Sequence, residues 1–193
     1  LHALPIFHTH GLFVATNLSL LTGGRMIFLP GFDLDAVLRL MPQATVMMGV
    51  PTFYTRLLDD PRFDRGLAGP MRLFISGSAP LLAETHRAFA ARTGHRILER
   101  YGMTETNMNT SNPYEGDRRA GTVGLPLPGV ELRVMHEGRE VARGEAGVIE
   151  VRAHEPRGLV GDHRQRQAHR LQAIEALAHA GVEPRLAPEP RSG

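Results

Sequence analysis

The chain has no lysine, no cysteine and no tryptophan in its 193 residues, and all 22 of its cationic side chains are arginine. Without cysteine, a disulfide scaffold and thiolate metal sites are excluded. Without lysine, no mechanism that needs a lysine can be completed by this chain alone. No apolar run approaches the ~18–20 residues of a membrane-spanning helix. No basic segment followed by an apolar one opens the chain, so a signal peptide is not expected and a cytoplasmic, reducing location is. The formal net charge is only +2. The high sequence pI of 9.6 reflects a flat titration curve, because few groups titrate between histidine and arginine. The arginines are interspersed with acids, so neither nucleic acid nor a membrane is an expected partner.

What is present suits a globule. Hydrophobic residues make up 42% and charged residues 22%, and a chain of this length can bury roughly 70% of its unfolded surface. Residues 11–21 are apolar enough for a buried helix, stopped by Gly23 and Gly24. Met26–Leu29 reads as a short strand, and Pro5–Phe7 as another leading into His8. Asp33 can cap a helix that carries Leu34, Val37, Leu38 and Met41 on one face. Thr45–Val50 is an apolar strand, and Pro51 suits the first turn of the helix after it. Leu73–Ile75 is a buried strand, Pro80 to about Thr93 a helix with Gly94 as its stop. Ile97–Leu98 starts the next strand, running into Glu99, Arg100, Tyr101 and Gly102.

Continuously apolar strands alternating with helices predict an α/β fold, a parallel sheet with helices on both faces. Ligands in such folds bind beyond the carboxyl ends of the strands. Residues 76–79 and 101–106, polar and glycine-containing, both fall there. Residues 107–129 read as loop. Val130–Val134 and Val148–Val151 read as strands, and a turn at Glu137-Gly138 between them predicts a small β-rich subdomain. The expected organisation is 1–128, 129–152, and a tail of 153–193. That tail has one weak amphipathic helix, from Asp162 to Ala180, and a proline-rich end that does not pack on the core.

Three segments can carry chemistry. Thr104, Glu105 and Thr106 offer hydroxyls to phosphate oxygens and a carboxylate to Mg²⁺, with Tyr101 as a flat face for a base; the alternative is a polar turn. Gly77 permits close backbone approach, and the helix start after Ser76–Pro80 suits an anion or a purine edge; the alternative is an ordinary cap by Ser78. His8-Thr9-His10 has the spacing of a metal pair, but no acid completes it locally, and a structural histidine is the simpler reading.

Five segments occur in order: Leu-Pro-Ile-Phe-His-Thr-His-Gly-Leu at 4–12 (starting from Leu4), Val-Pro-Thr-Phe-Tyr at 50–54, Ser-Gly-Ser-Ala-Pro-Leu at 76–81, Glu-Arg-Tyr-Gly-Met-Thr-Glu-Thr at 99–106, and Gly-Thr-Val-Gly-Leu-Pro-Leu-Pro-Gly-Val at 121–130. Together they resemble the acyl-adenylate-forming superfamily, the AMP-binding acyl-CoA synthetases and their kin, over residues 1–152. Residues 98–114 look closest to its malonyl-CoA synthetases. The resemblance implies the large N-terminal domain of such an enzyme. It implies two steps: a carboxylate and ATP give acyl-AMP and pyrophosphate, then CoA displaces AMP. It implies ATP, CoA and Mg²⁺, and only small molecules as partners. Thr104 resembles the phosphate-contacting residue and Glu105 the Mg²⁺-associated one. Ser76, Gly77, Ala79, Pro80, Glu99, Tyr101, Gly102 and Met103 match the nucleotide-lining positions, with Tyr101 against adenine. His8 matches a position beside the acyl group. Arg100, expected at the acyl pocket, can grip a second carboxylate by two parallel bonds; the alternative is a salt bridge to Glu99 or another acid at the sheet end. Ser78 shares that carboxylate and Arg56 is a further candidate, so a small dicarboxylate such as malonate is the expected acid.

The chain departs from the family pattern in three places. The phosphate loop ending in lysine and the C-terminal domain with its lysine do not occur in it and would have to come from elsewhere. The ribose-binding Tyr-x-Thr-Gly-Asp element is missing; only Gly161-Asp162 remains, in unrelated surroundings. A non-catalytic binding module that keeps part of the pocket is therefore an alternative. A peptide-synthetase domain is disfavoured by Arg100.

Overall fold

The structure is a computed structural model, which describes residues 1–142 and 144–153. The expectations for the tail, including the helix from Asp162 and the proline-rich end, lie outside the described residues.

Three parallel strands form the centre: β1 (Val46–Gly49), β2 (Leu73–Ser76) and β3 (Leu98–Met103). β2 lies between the other two, paired in register Val46↔Leu73 on one side and Ser76↔Glu99 on the other. Consecutive strand residues point to opposite faces, and here both faces are apolar. Met47, Phe74 and Ile97 join one buried cluster, and Met48, Ile75 and Leu98 join a second. The first cluster is covered by α2 (Leu34–Leu40), α3 (Pro51–Asp59), α4 (Arg65–Ala68) and α5 (Ala83–Thr93). The second is covered by Leu4, Val14 and Ala15. Helical segments thus lie on both faces, as the continuous apolar strands predict.

The aromatic centre of the first cluster is Tyr54, Phe63, Phe74 and Phe89, all fully buried. The Phe74 and Phe89 rings meet edge to face at 4.9 Å. Burying a phenol requires a partner for its hydroxyl, and Tyr54 donates to the Ile75 carbonyl at 2.5 Å. α2 starts as expected: the Asp33 carboxylate accepts the Ala36 N–H at 2.7 Å. Asp33→Ala is expected to lower stability by about 1 kcal/mol, measured by urea unfolding of the 193-residue chain.

Four local expectations are corrected. The helix expected over 11–21 is a π-helix, His10–Asn17, continuing as the short α1 (Leu18–Leu21). It is not wholly buried: Leu12, Phe13, Leu18, Leu20 and Leu21 are exposed. Pro5–Phe7 is not a strand; Ile6 and Phe7 form an exposed turn. Met26–Leu29 contributes only an isolated bridge, His2 to Phe28. Residues 107–129 are not all loop. β4 (Asn107–Ser111) and β5 (Leu125–Pro126) extend the sheet antiparallel beyond β3, so the sheet is mixed. The sequence Asn-Met-Asn-Thr-Ser has no apolar alternation, so its pairing comes from position beside β3 rather than from propensity.

β6 (Val130–His136), β7 (Arg139–Glu140) and β8 (Val148–Ala153) make a separate antiparallel sheet in the order β7-β6-β8. Its turn is at Glu137-Gly138, where both residues have positive φ, as a tight hairpin requires. No helix among the described residues is long and apolar enough to cross a membrane.

Candidate functional site

Parallel neighbours place their carboxyl ends side by side. Because Ser76 pairs with Glu99, the segments after β2 and near the end of β3 must adjoin, about one strand spacing of ~4.8 Å apart. A Cβ placed on Gly77 would lie 3.5 Å from the Arg100 carbonyl oxygen and 3.4 Å from His10 Cε1. The two stretches singled out in the sequence, 76–80 and 101–106, are therefore brought together at one end of the sheet.

A cavity of about 590 Å³ opens there. His8, Ser78, Gly102, Met103 and Thr104 line it, as do Thr9, His10, Phe32, Phe53 and Met108. Its size suits a small organic ligand. Gly102 is required where β4 returns, since a Cβ there would collide with the Asn107 carbonyl oxygen. Ser76, Gly77, Ala79, Pro80, Glu99, Arg100, Tyr101 and Glu105 flank this cavity rather than line it. Ser76 and Gly77 are buried at the end of β2, while Ser78, Ala79 and Pro80 are exposed. Thr104 and Glu105 are exposed in the turn between β3 and β4. Arg56 is not part of the lining; its guanidinium lies 4.7 Å over the ring of Phe32, which is.

The buried charge is unevenly placed. Glu99 is 3% exposed. One carboxylate oxygen, Oε1, accepts the Leu81 N–H at 3.1 Å, and the other is buried without a partner among the described residues. Burial pushes its pKa from the ordinary 4.5 up to about 7, against the opposing pull of the Leu81 N–H. Arg100, the next residue, points to the other face of β3 and makes no ion pair with Glu99. Its Nε is buried without a partner among the described residues, and burial pushes its pKa down. Tyr101 is half-buried, and burial, with the Glu105 charge, pushes its phenol up.

His10, noted in the sequence only as half of a possible metal pair, is the histidine that faces inward. His8 lies exposed at the rim. The π-helix instead turns His10 inward, where its Nδ1 is 3.2 Å from Ser78 Oγ. Burial, then the charges of Arg100 and His2, lower its pKa to about 4, so it is neutral at pH 7. The H-x-H spacing was the only local signal, and it did not say which histidine faces in. The exposed His8 and buried His10 do not converge on a metal, and no group of three potential ligands exists among the described residues. A Mg²⁺ ion at Glu105 would therefore be held by one protein carboxylate with phosphate oxygens and water, which is its usual preference.

These shifts have a pH signature. Glu99 holds its proton more tightly folded than unfolded, so its contribution to stability is complete below pH 4.5 and is lost as pH rises to about 7. His10 has the opposite slope: its contribution is complete above pH 6.5 and is lost as pH falls towards 4. Glu99→Gln removes only the first. Its melting temperature is expected to rise relative to the parent chain between pH 5 and pH 8, and a constant difference across that range would contradict the burial argument.

The family model described as AMP-binding enzyme matches residues 1–155. The chain is 40% identical over 157 residues to a malonate–CoA ligase of Arabidopsis thaliana, covering 71% of this chain and 26% of that protein. An ATP-bound crystal structure of MatB from Rhodopseudomonas palustris superposes with a TM-score of 0.76 at 66% identity, over 79% of this chain and 31% of that one. A malonyl-CoA ligase ternary product complex, with methylmalonyl-CoA and AMP bound, gives 0.70 at 46% identity, over 79% and 34%. The chain spans about a quarter of the length of the curated relatives it matches.

Proposed function

Because the chain belongs to the AMP-binding enzyme family, we propose that it carries the acyl- and nucleotide-facing part of an ATP-dependent acid–CoA ligase whose acid is a small dicarboxylate, malonate or a close analogue. In this reading one substrate carboxylate attacks the α-phosphorus of ATP. The bond to pyrophosphate breaks, and acyl-AMP forms. The CoA sulfur then attacks the acyl carbon and AMP leaves.

The observation that carries the reading is the unpaired guanidinium of Arg100. A half-buried cation without an acid partner is costly unless an anion arrives. Neutral His10 and the Ser78 hydroxyl beside it supply hydrogen bonds without competing charge. That combination favours a second carboxylate over an alkyl chain at the acyl end. Both the relatives named for malonate and the complex with methylmalonyl-CoA and AMP support this choice of acid.

The nucleotide lies across the two strand ends. Tyr101 stacks on adenine, Ser76, Gly77, Ala79 and Pro80 form the wall beside it, and Thr104 donates to phosphate oxygens. His8, at the rim, faces the acyl group. Mg²⁺, held at Glu105, would supply charge neutralisation on the phosphates. Arg56 is left out of the site, since its guanidinium is engaged over the Phe32 ring.

The test is acid-dependent pyrophosphate release by the complete ligase. Malonate is expected to exceed butyrate in kcat/KM by about tenfold or more. Equal values for the two acids would remove the dicarboxylate from the proposal.

A further inference from the structure

Ser78 has φ +68. A side chain other than glycine's rarely sits in this region, and it persists there only where the surroundings hold it. The loop that contains it is exposed from Ser78 to Pro80, so the restraint must come from its ends and from other elements. Two side chains supply it. His10 approaches the Ser78 hydroxyl from one side of the sheet. From the other, Glu99 Oε1 accepts the N–H of Leu81, the residue that closes the loop.

Glu99 is well placed for this. It lies in β3 as the direct neighbour of Ser76, the last residue before the loop. Its own carbonyl accepts from the backbone N–H of Asn112 at 3.0 Å and from Asn112 Nδ2 at 3.2 Å. The strand beneath the carboxylate is thereby tied down from the far side. Leu81 is itself buried in the first core cluster. One buried carboxylate therefore links the rigid strand to the start of the segment leading into α5. A buried carboxyl is an expensive way to fill space; its position at the loop's end gives it a task.

We propose that Glu99 is a positioning residue rather than the nucleotide contact that the family resemblance implies: by accepting the Leu81 N–H it holds the Gly77–Pro80 loop in the shape that presents Ser78 to the acid and the loop backbone to the nucleotide, and it touches neither. This rests on the ligase reading for its consequences in turnover, but the tether itself is a property of the fold.

The experiment compares Glu99→Ala and Glu99→Gln. In Gln the amide oxygen still accepts the Leu81 N–H. In the complete ligase, Glu99→Ala is expected to raise KM for both ATP and malonate about tenfold, because both ligands meet the same loop, while Glu99→Gln stays within about threefold. In the 193-residue chain, amide exchange at Leu81 and across residues 77–79 is expected to speed up about tenfold in Glu99→Ala and to return towards the parent rate in Glu99→Gln. A rise in KM for ATP alone would make Glu99 a direct nucleotide contact and overturn the proposal. Unchanged exchange at Leu81 would overturn it, as would faster exchange spread equally over β1 and α3, which marks general loss of packing. If the parent ligase releases no malonate-dependent pyrophosphate, the ligase reading fails, and the exchange data still decide the tether.

Discussion

On the proposed reading, Arg100→Ala in the complete ligase is expected to lower kcat/KM for malonate by roughly 30- to 1,000-fold, corresponding to ~2–4 kcal/mol for a charged pair broken in a buried setting. A monocarboxylate of similar size loses far less, because it never used the guanidinium. The geometry makes this contrast sharp. Arg100 has no ion pair among the described residues, and Glu99 points to the opposite face of the strand, so removing the cation strands no protein anion. The loss falls on the substrate's second carboxylate, which is then desolvated without its partner. Arg100→Lys restores charge but not the planar fork, and is expected to recover only part of the loss. Steady-state kinetics with malonate and butyrate on the parent and both variants measure the effect. Equal losses for the two acids would assign Arg100 a structural role.

The 193-residue chain by itself, supplied with ATP, Mg²⁺, malonate and CoA, is expected to release pyrophosphate at least about 10³-fold more slowly than a complete family member. Departure of pyrophosphate develops negative charge on the leaving oxygens, and cations must neutralise it in the transition state. The resemblance assigns part of that work to two lysines, and the chain contains none. Among the described residues no arginine lines the cavity, and the guanidinium of Arg56 is engaged over the Phe32 ring. Two or three missing contacts at ~2–4 kcal/mol each suffice for the expected deficit. A preformed acyl-adenylate can still meet Tyr101, Thr104 and the Ser76–Pro80 loop, so weak binding of such an analogue is compatible with absent turnover. Coupled detection of pyrophosphate and of the CoA thioester separates these outcomes. Turnover close to that of a complete ligase would mean that an arginine of this chain does the lysines' work.

The legible part of the molecule was the part governed by local pattern. Apolar pairs such as Met47-Met48, Phe74-Ile75 and Ile97-Leu98 can only be satisfied by strands buried on both faces. Helices must then lie between parallel neighbours, and the polar stretches 76–80 and 101–106 must share a sheet end. Asp33 as a cap and Gly94 as a stop were readable because each acts through its own backbone neighbourhood. The resemblance in the Tyr101–Thr106 stretch added the chemistry that pattern cannot supply.

The rest depended on contacts between residues far apart in the chain. Asn107–Ser111 carries no strand pattern and becomes β4 because β3 offers it an open edge. Met26–Leu29 carries a strand pattern but makes only one bridge, because the edge of β1 is approached by His2 instead. Of two histidines two residues apart, the π-helix turns His10 to Ser78 and leaves His8 at the rim. Glu99 and Arg100 are adjacent in sequence, yet one accepts the Leu81 N–H and the other leaves its Nε buried without a partner among the described residues, since successive residues of a strand look in opposite directions. Composition and periodicity determined which segments are buried and which are exposed at the strand ends, because hydrophobic burial is summed over local stretches. Tertiary packing alone decided which polar side chains meet, because a hydrogen bond or an ion pair depends on a few ångströms and a direction that distant segments set.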